Sequence, residues 1–175
     1  CILAARKRGM RDCPFCRSPM ATEDRQILAR IEKRVNACDP VAMCHLGNKY
    51  ADGDNGLEKD VTRAVELFER AAELGVKDAH FFVGCLYGQG VDVEKETAKA
   101  IRHWETAAVD GQNIARYHLG IFEGNARNYD LALQHFLISA KMGHERSLNK
   151  VKHLFMNGHA NKADYAAALR GYQNA

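Results

Sequence analysis

The apolar residues of this chain recur at helical spacing, and the pattern they make is itself repeated. Ala64, Leu67, Phe68, Ala71 and Ala72 stand at i, i+3, i+4, i+7 and i+8, which puts them on one stripe of an amphipathic helix. The motif Ala-x3-aromatic-x3-Ala-x2-Gly occurs at Ala64, Phe68, Ala72, Gly75, then at Ala100, Trp104, Ala108, Gly111, then at Ala132, Phe136, Ala140, Gly143, in steps of 36 and 32 residues. A fourth copy begins at Ala168 and Tyr172, where the chain stops. Between these copies runs a second motif, Ala-x3-Leu/Val-Gly. It occurs at Ala42, Leu46, Gly47, at Ala79, Val83, Gly84, and at Ala115, Leu119, Gly120, in steps of 37 and 36 residues. Two helical patterns alternating at one period describe a helix pair used repeatedly.

The residue types fit that reading. The alanines allow a neighbouring helix to come close, and one large ring per copy fills the space above them. Gly75, Gly111 and Gly143 follow the stripes, where a left-handed residue ends a helix. Asp39-Pro40 offers an N-cap and a first-turn proline. The predicted pairs are 40–52/61–74, 77–88/95–110, 112–123/129–142 and 145–157/162–175. The third pair is joined by the short Gly124-Asn125-Ala126-Arg127-Asn128 loop. A single helix over 22–37, capped by Thr22 and striped by Ile27, Leu28, Ile31 and Val35, precedes them as an end cover. The Gly-rich stretches Gly53-Asp54-Asn55-Gly56 and Gly88-Gln89-Gly90 precede no strand and read as turns rather than phosphate cradles. The fold class is all-α: an α-solenoid of antiparallel helix pairs over residues 39–175, a capping helix over 21–38 and a short irregular N-terminal segment over 1–20.

The string Ala42-x3-Leu46-Gly47-x2-Tyr50-x2-Gly53, with Ala64, Phe68, Ala71-Ala72 and Gly75, resembles the Sel1-like repeat, a relative of the tetratricopeptide repeat. Tyr87, Gly90, Val91, Ala107-Ala108 and Gly111 continue the likeness. It weakens in the third loop and in the fourth repeat, where Val151-Lys152 replaces Leu-Gly. The resemblance implies a right-handed superhelix that binds proteins, with no catalytic residues of its own. It also implies that the first helix of each pair lines a concave groove. The positions flanking each Leu-Gly are then the candidate partner contacts: Cys44, His45 and Asn48; Phe81, Phe82 and Cys85; Tyr117, His118 and Ile121. They are mainly aromatic and apolar, so an apolar peptide or helix is the expected occupant rather than one held by a charge clamp. Core packing of half of them is the alternative. Glu123, ahead of Gly124, is a lone polar candidate or a solvated helix end.

Composition narrows the rest. The net charge of +3 is uneven: residues 1–36 hold nine Lys/Arg against four Asp/Glu, the remainder sixteen against eighteen. The basic Arg6-Lys7-Arg8 run lacks interleaved aromatics, so nucleic acid is not expected as a partner. Eight histidines form no His-x3-His or His-Glu-x2-His pair. No eighteen-residue apolar run or signal peptide is read, so no membrane association is expected. Of six cysteines, Cys44 and Cys85 lie alone in helical patterns as reduced thiols, which points to an intracellular compartment, cytoplasmic or nuclear. The first residue is Cys rather than Met, as in a fragment or processed product.

Cys13-Pro14-Phe15-Cys16 is the one metal-ligand spacing, since two thiolates in a tight turn can share a zinc ion. A redox dithiol is the alternative, but Ser18 and Pro19 follow where that site needs a long helix. Cys1, eleven further residues, then Cys13-Pro14-Phe15-Cys16-Arg17 resembles the C-terminal part of a RING finger. That likeness implies zinc ligation by Cys1, Cys13 and Cys16, contact with a ubiquitin-conjugating enzyme by Pro14, and ubiquitin orientation by Arg17. Ala5 stands where many active members have Trp, and the other ligand pairs are not in this sequence. Zinc is therefore expected only in an intact RING. Two functions follow: a non-catalytic adaptor, or the substrate-recruiting part of a RING-type ubiquitin ligase.

Overall fold

The computed structural model describes residues 24–90 and 93–175. Among these it holds nine helices and no strand: α1 Asp24–Asn36, α2 Pro40–Asp52, α3 Val61–Glu73, α4 Lys77–Gln89, α5 Thr97–Val109, α6 Asn113–Asn125, α7 Tyr129–Lys141, α8 Glu145–Met156 and α9 Lys162–Gln173. The fold is the expected all-α array, each helix within two residues of its predicted span. The expected Thr22 cap, Val91, and the whole Cys1, Cys13, Pro14, Cys16, Arg17 segment lie outside the described residues. The chain divides into two compact units, Cys1–Leu67 and Phe68–Ala175, the division falling within α3.

In the first unit α1 packs on α2. The Asp39 carboxylate caps α2, accepting from the Val41 and Ala42 amides at 3.0 and 3.2 Å. It also receives Arg34 at 2.6 Å, and that bond, the largest cause, holds its carboxyl below the usual range. The buried face of α2 carries Ala42, Met43, Leu46, Gly47 and Tyr50, with the Arg63 guanidinium 4.6 Å above the Tyr50 ring.

In the second unit each helix packs against the next, and α9 also reaches α7. The pairs are antiparallel, and the helix glycines show how. A Cβ on Gly84 would lie 2.6 Å from the Trp104 ring, and one on Gly88 would lie 2.5 Å from its far edge. On the next pair a Cβ on Gly120 would lie 2.7 Å from Phe136, and one on Gly124 would face Ala132. The aromatics of α5 and α7 are thus each seated in a notch made by glycine on the preceding helix. Because a strict packing distance is involved, glycine is retained here despite its cost in a helix interior.

The turns between pairs share one hydrogen-bond pattern. The amide after the left-handed residue reaches back five positions: Val76 to Ala71 O (3.0 Å), Gln112 to Ala107 O (2.9 Å) and His144 to Ser139 O (3.2 Å). This is a Schellman closure, which requires positive φ at Gly75, Gly111 and Gly143. The third loop closes identically, Asn128 to Glu123 O at 2.9 Å, but with Arg127 at φ 65. That is why this connection is short without containing a glycine at its turning point.

The last helix keeps the expected register, with Ala168 fully buried in one cluster with Ala132, but it starts early. Ala64, Ala100 and Ala132 each come three residues after the start of their helix, whereas Ala168 comes six after Lys162. The final helix therefore begins almost a turn earlier relative to that alanine. Tyr165, not Tyr172, makes a ring contact there, stacking on Phe155 at 5.7 Å. Lys152, in the place of the Leu-Gly glycine, is exposed, and Val151 is buried.

A polar chain crosses this unit. The Ser147 hydroxyl donates to Ser139 Oγ at 2.8 Å, and Ser139 donates to Asn113 O at 2.8 Å. Each serine has then used its one proton, so His144 Nδ1, 2.8 Å from Ser147 Oγ, must be the donor of that pair. Both serines are fully buried. Ser139→Ala is expected to cost roughly 1–2 kcal/mol, because Ser147 and Asn113 both lose a buried partner. A urea titration reads this directly, and an unchanged midpoint would contradict the chain of bonds.

Candidate functional site

The nine positions nominated as partner contacts fall in two groups. In the first unit Cys44 is buried within α2, His45 is exposed and Asn48 half-buried; Cys44 is core there, not groove. In the second unit the other six lie on α4 and α6, and four of them, Phe81, Phe82, Tyr117 and His118, are joined by ring contacts. Phe82 stacks on Phe68 (centroids 5.0 Å) and meets Phe81 (5.5 Å), which meets His118 (5.8 Å). His118 lies flat on Trp104 at 5.0 Å and touches Tyr117, and Tyr117 leans on Phe136 and His144. Phe81 and Tyr117 pack on the buried clusters around Trp104 and Phe136. These side chains are thus partly core and partly surface: the rings shape the face more than they protrude from it.

Three cavities open along this face. One of about 230 Å³ lies between α4 and α6 over Trp104 and is lined by Cys85, Gly88, Gln89, His118, Ile121, Phe122 and Asn125 with the Lys95 and Thr97 side. A second of about 470 Å³ lies between α6 and α8 over Phe136 and shares Ile121 and Asn125 with the first. It adds Tyr129, Lys150, His153, Leu154, Asn157 and His159. A third of about 540 Å³ continues from Tyr129 and His159 to Arg127, Asn128, Asp130 and Leu131 at the start of α7. Cys85, His118 and Ile121 line these cavities; Phe81, Phe82 and Tyr117 line none of the three.

The α8 contribution was not among the nominated residues, yet its signal was present. The 32-residue step that relates Ala100 to Ala132 carries His118 to Lys150 and Ile121 to His153. Both line the middle cavity. The loss of Leu-Gly in the fourth repeat hid that correspondence. Glu123 does not face a cavity; it accepts from Asn128 Nδ2 at 2.7 Å and so ties down its own loop.

Two side chains that could act as nucleophiles lie at or beneath this face, Cys85 and Ser147. Burial pushes the Cys85 thiol up to about 11, against a smaller opposing pull from Trp104, so it is protonated at neutral pH and a poor nucleophile. Ser147 touches His144 but is sealed in the core. No group of three or more metal-ligating side chains occurs among the described residues, and no described helix is long and apolar enough to cross a membrane.

Four imidazoles in this unit, His103, His118, His135 and His144, are held below their ordinary values, in each case first by burial. His80 and His103 also face each other with Nδ1 atoms 3.0 Å apart, a contact that requires one unprotonated nitrogen. The unfolded chain therefore takes up more protons than the folded one once the pH drops below about 6.5. Stability is expected to be full above that pH and to fall as acid approaches the lowered folded values. Urea midpoints at pH 7.5 and 5.0 measure it; His118→Phe should reduce the difference, and equal midpoints in the wild type would refute it.

Comparison with known proteins bears on the same region. A sequence profile of the Sel1 repeat matches residues 40–76, 77–108 and 113–144, more than half of the chain. DAP3-binding cell death enhancer 1 of Rattus norvegicus is 31% identical over 116 residues, 64% of this chain and 22% of that protein. Its Mus musculus counterpart is 32% identical over 97 residues, 53% of this chain and 19% of that protein. The chain thus spans about a fifth of these relatives. Among solved structures, a Sel1 repeat protein from Oxalobacter formigenes superposes with TM-score 0.71 at 26% identity, covering 82% of this chain and 60% of that one. A protective antigen of uropathogenic Escherichia coli with an SLR fold gives TM-score 0.71 at 22% identity over 82% of this chain and 31% of its own, a likeness of fold alone.

Proposed function

Because the chain belongs to the Sel1 repeat family, whose members are protein-interaction scaffolds, we propose that it holds a partner protein on the face built by α4, α6 and α8. The observation that carries this reading is the row of three cavities sharing Ile121, Asn125, Tyr129 and His159, which suits an elongated peptide segment rather than a compact small molecule. The name of the rat and mouse relatives makes DAP3 the first partner to test. A photo-reactive benzoylphenylalanine placed at Ile121 should cross-link the partner, whereas the same group at Ile138, exposed on α7, should not. Cross-links at Ile138 alone would move the binding face to the other side of the pair.

A second reading rests on Cys13-Pro14-Phe15-Cys16-Arg17: the repeats recruit substrate for a RING-type ubiquitin ligase, which would act by proximity, with no nucleophile of its own. In a RING, Cys13 and Cys16 would supply two of the four ligands of one zinc ion, sharing it with an upstream pair, and Cys1 would serve the other ion. Self-ubiquitination by the intact parent protein should disappear on Cys16→Ala and fall on Arg17→Ala. Activity retained in both would remove this reading.

A further inference from the structure

The middle and third cavities are more polar than the first, whose wall is largely apolar around Trp104, Ile121 and Phe122 with Lys95 at its side. The apolar cavity over Trp104 passes at Ile121 and Asn125 into one whose wall carries Lys150, His153 and His159 and no carboxylate. Lys150 makes no ion pair among the described residues. His159 is stacked on Tyr129 with ring centroids 3.8 Å apart, which fixes the imidazole where the two cavities meet. Beyond it lies Arg127, held at the loop tip by its left-handed backbone, with Asp130 the one acidic residue lining this end. The start of α7 faces the same space; its first turn carries Asp130 and its amides have no side-chain cap, while Asn128 donates its Nδ2 to Glu123. Uncapped amides at a helix start favour negative charge, as do lysine and arginine.

Resting on the scaffold reading above, we propose that this region is an acidic-residue subsite: the bound segment places an apolar side chain in the cavity over Trp104 and an Asp or Glu carboxylate between Lys150, His153 and the start of α7. The charge complementarity is the argument for that occupant. The side chains that gather here are cationic or hydrogen-bonding, they come from two helices and two loops, and they continue a groove rather than closing round a free ion. An apolar peptide filling the whole groove would instead have to desolvate Lys150 without a partner, which is unfavourable.

The test is selection of a random twelve-residue peptide phage library on the immobilised chain, with Lys150→Glu and Lys150→Arg in parallel. Circular dichroism first verifies that the variants keep their helix content. The expected result is enrichment of peptides with an acidic residue beside an apolar one, lost in Lys150→Glu and kept in Lys150→Arg. Synthetic peptides of the consensus should bind Lys150→Glu at least tenfold more weakly, and Asp/Glu to Asn/Gln versions should show no such difference between proteins. Enriched peptides without acidic residues, or an acidic preference unchanged in Lys150→Glu, overturn the subsite and leave the scaffold reading standing. No enrichment on any of the three proteins overturns both.

Discussion

Trp104→Ala is expected to lower the stability of residues 68–175 by about 3–5 kcal/mol, the range for emptying a large aromatic site in a packed core. The ring is 8% exposed and forms one buried cluster with Ala100, Ala107, Ala108, Ala115 and Leu119. It sits in the notch of Gly84 and Gly88, and this couples the two positions. In the wild type, Gly84→Ala puts a Cβ 2.6 Å from Cδ1 and Nε1 of the indole. The overpacking costs about 1–3 kcal/mol, more than the roughly 1 kcal/mol that alanine gains over glycine in a helix. With Trp104 already Ala, the ring contact is gone and only Ala100 O at 3.2 Å remains, so the same Gly84→Ala change should cost much less. A double-mutant cycle by urea denaturation measures both arms. If Gly84→Ala destabilises equally in the two backgrounds, the ring-in-notch packing is not what retains this glycine.

The second large effect is Ala108→Trp, expected to cost more than about 3 kcal/mol, beyond the usual range for overpacking, because the indole has nowhere to go. Ala108 is 3% exposed and faces the same cluster. Ala72 occupies the matching place one repeat earlier by sequence, yet it is only half-buried. Ala72→Trp should therefore be much milder. Thermal unfolding followed by circular dichroism separates the two, and similar losses at both positions would show that the repeats are packed alike.

That contrast marks where sequence reading stops. The 36-residue step, the alanine stripes and Gly75, Gly111 and Gly143 made the helix pairs legible, since apolar periodicity and left-handed turns are local properties of the chain. Asp39-Pro40 was equally legible, its cap needing only the next three residues. The roles of Gly84 and Gly120 were harder to read. Both were visible as repeated glycines, but the reason for them is a ring on another helix. The candidate face was half legible: Cys85, His118 and Ile121 line cavities, while Cys44 is core and Phe81, Phe82 and Tyr117 are spent on each other and on the clusters beneath them.

The sequence by itself determined that this chain is an all-α array of Sel1-type helix pairs, because spacing along one helix depends only on which residues must leave water. The tertiary structure alone decided which members of each stripe are sealed, and that Lys150, His153, His159 and the start of α7 gather at one end of a groove. Those facts depend on residues distant in sequence meeting in space, and the distance between two helices is set by the side chains of both.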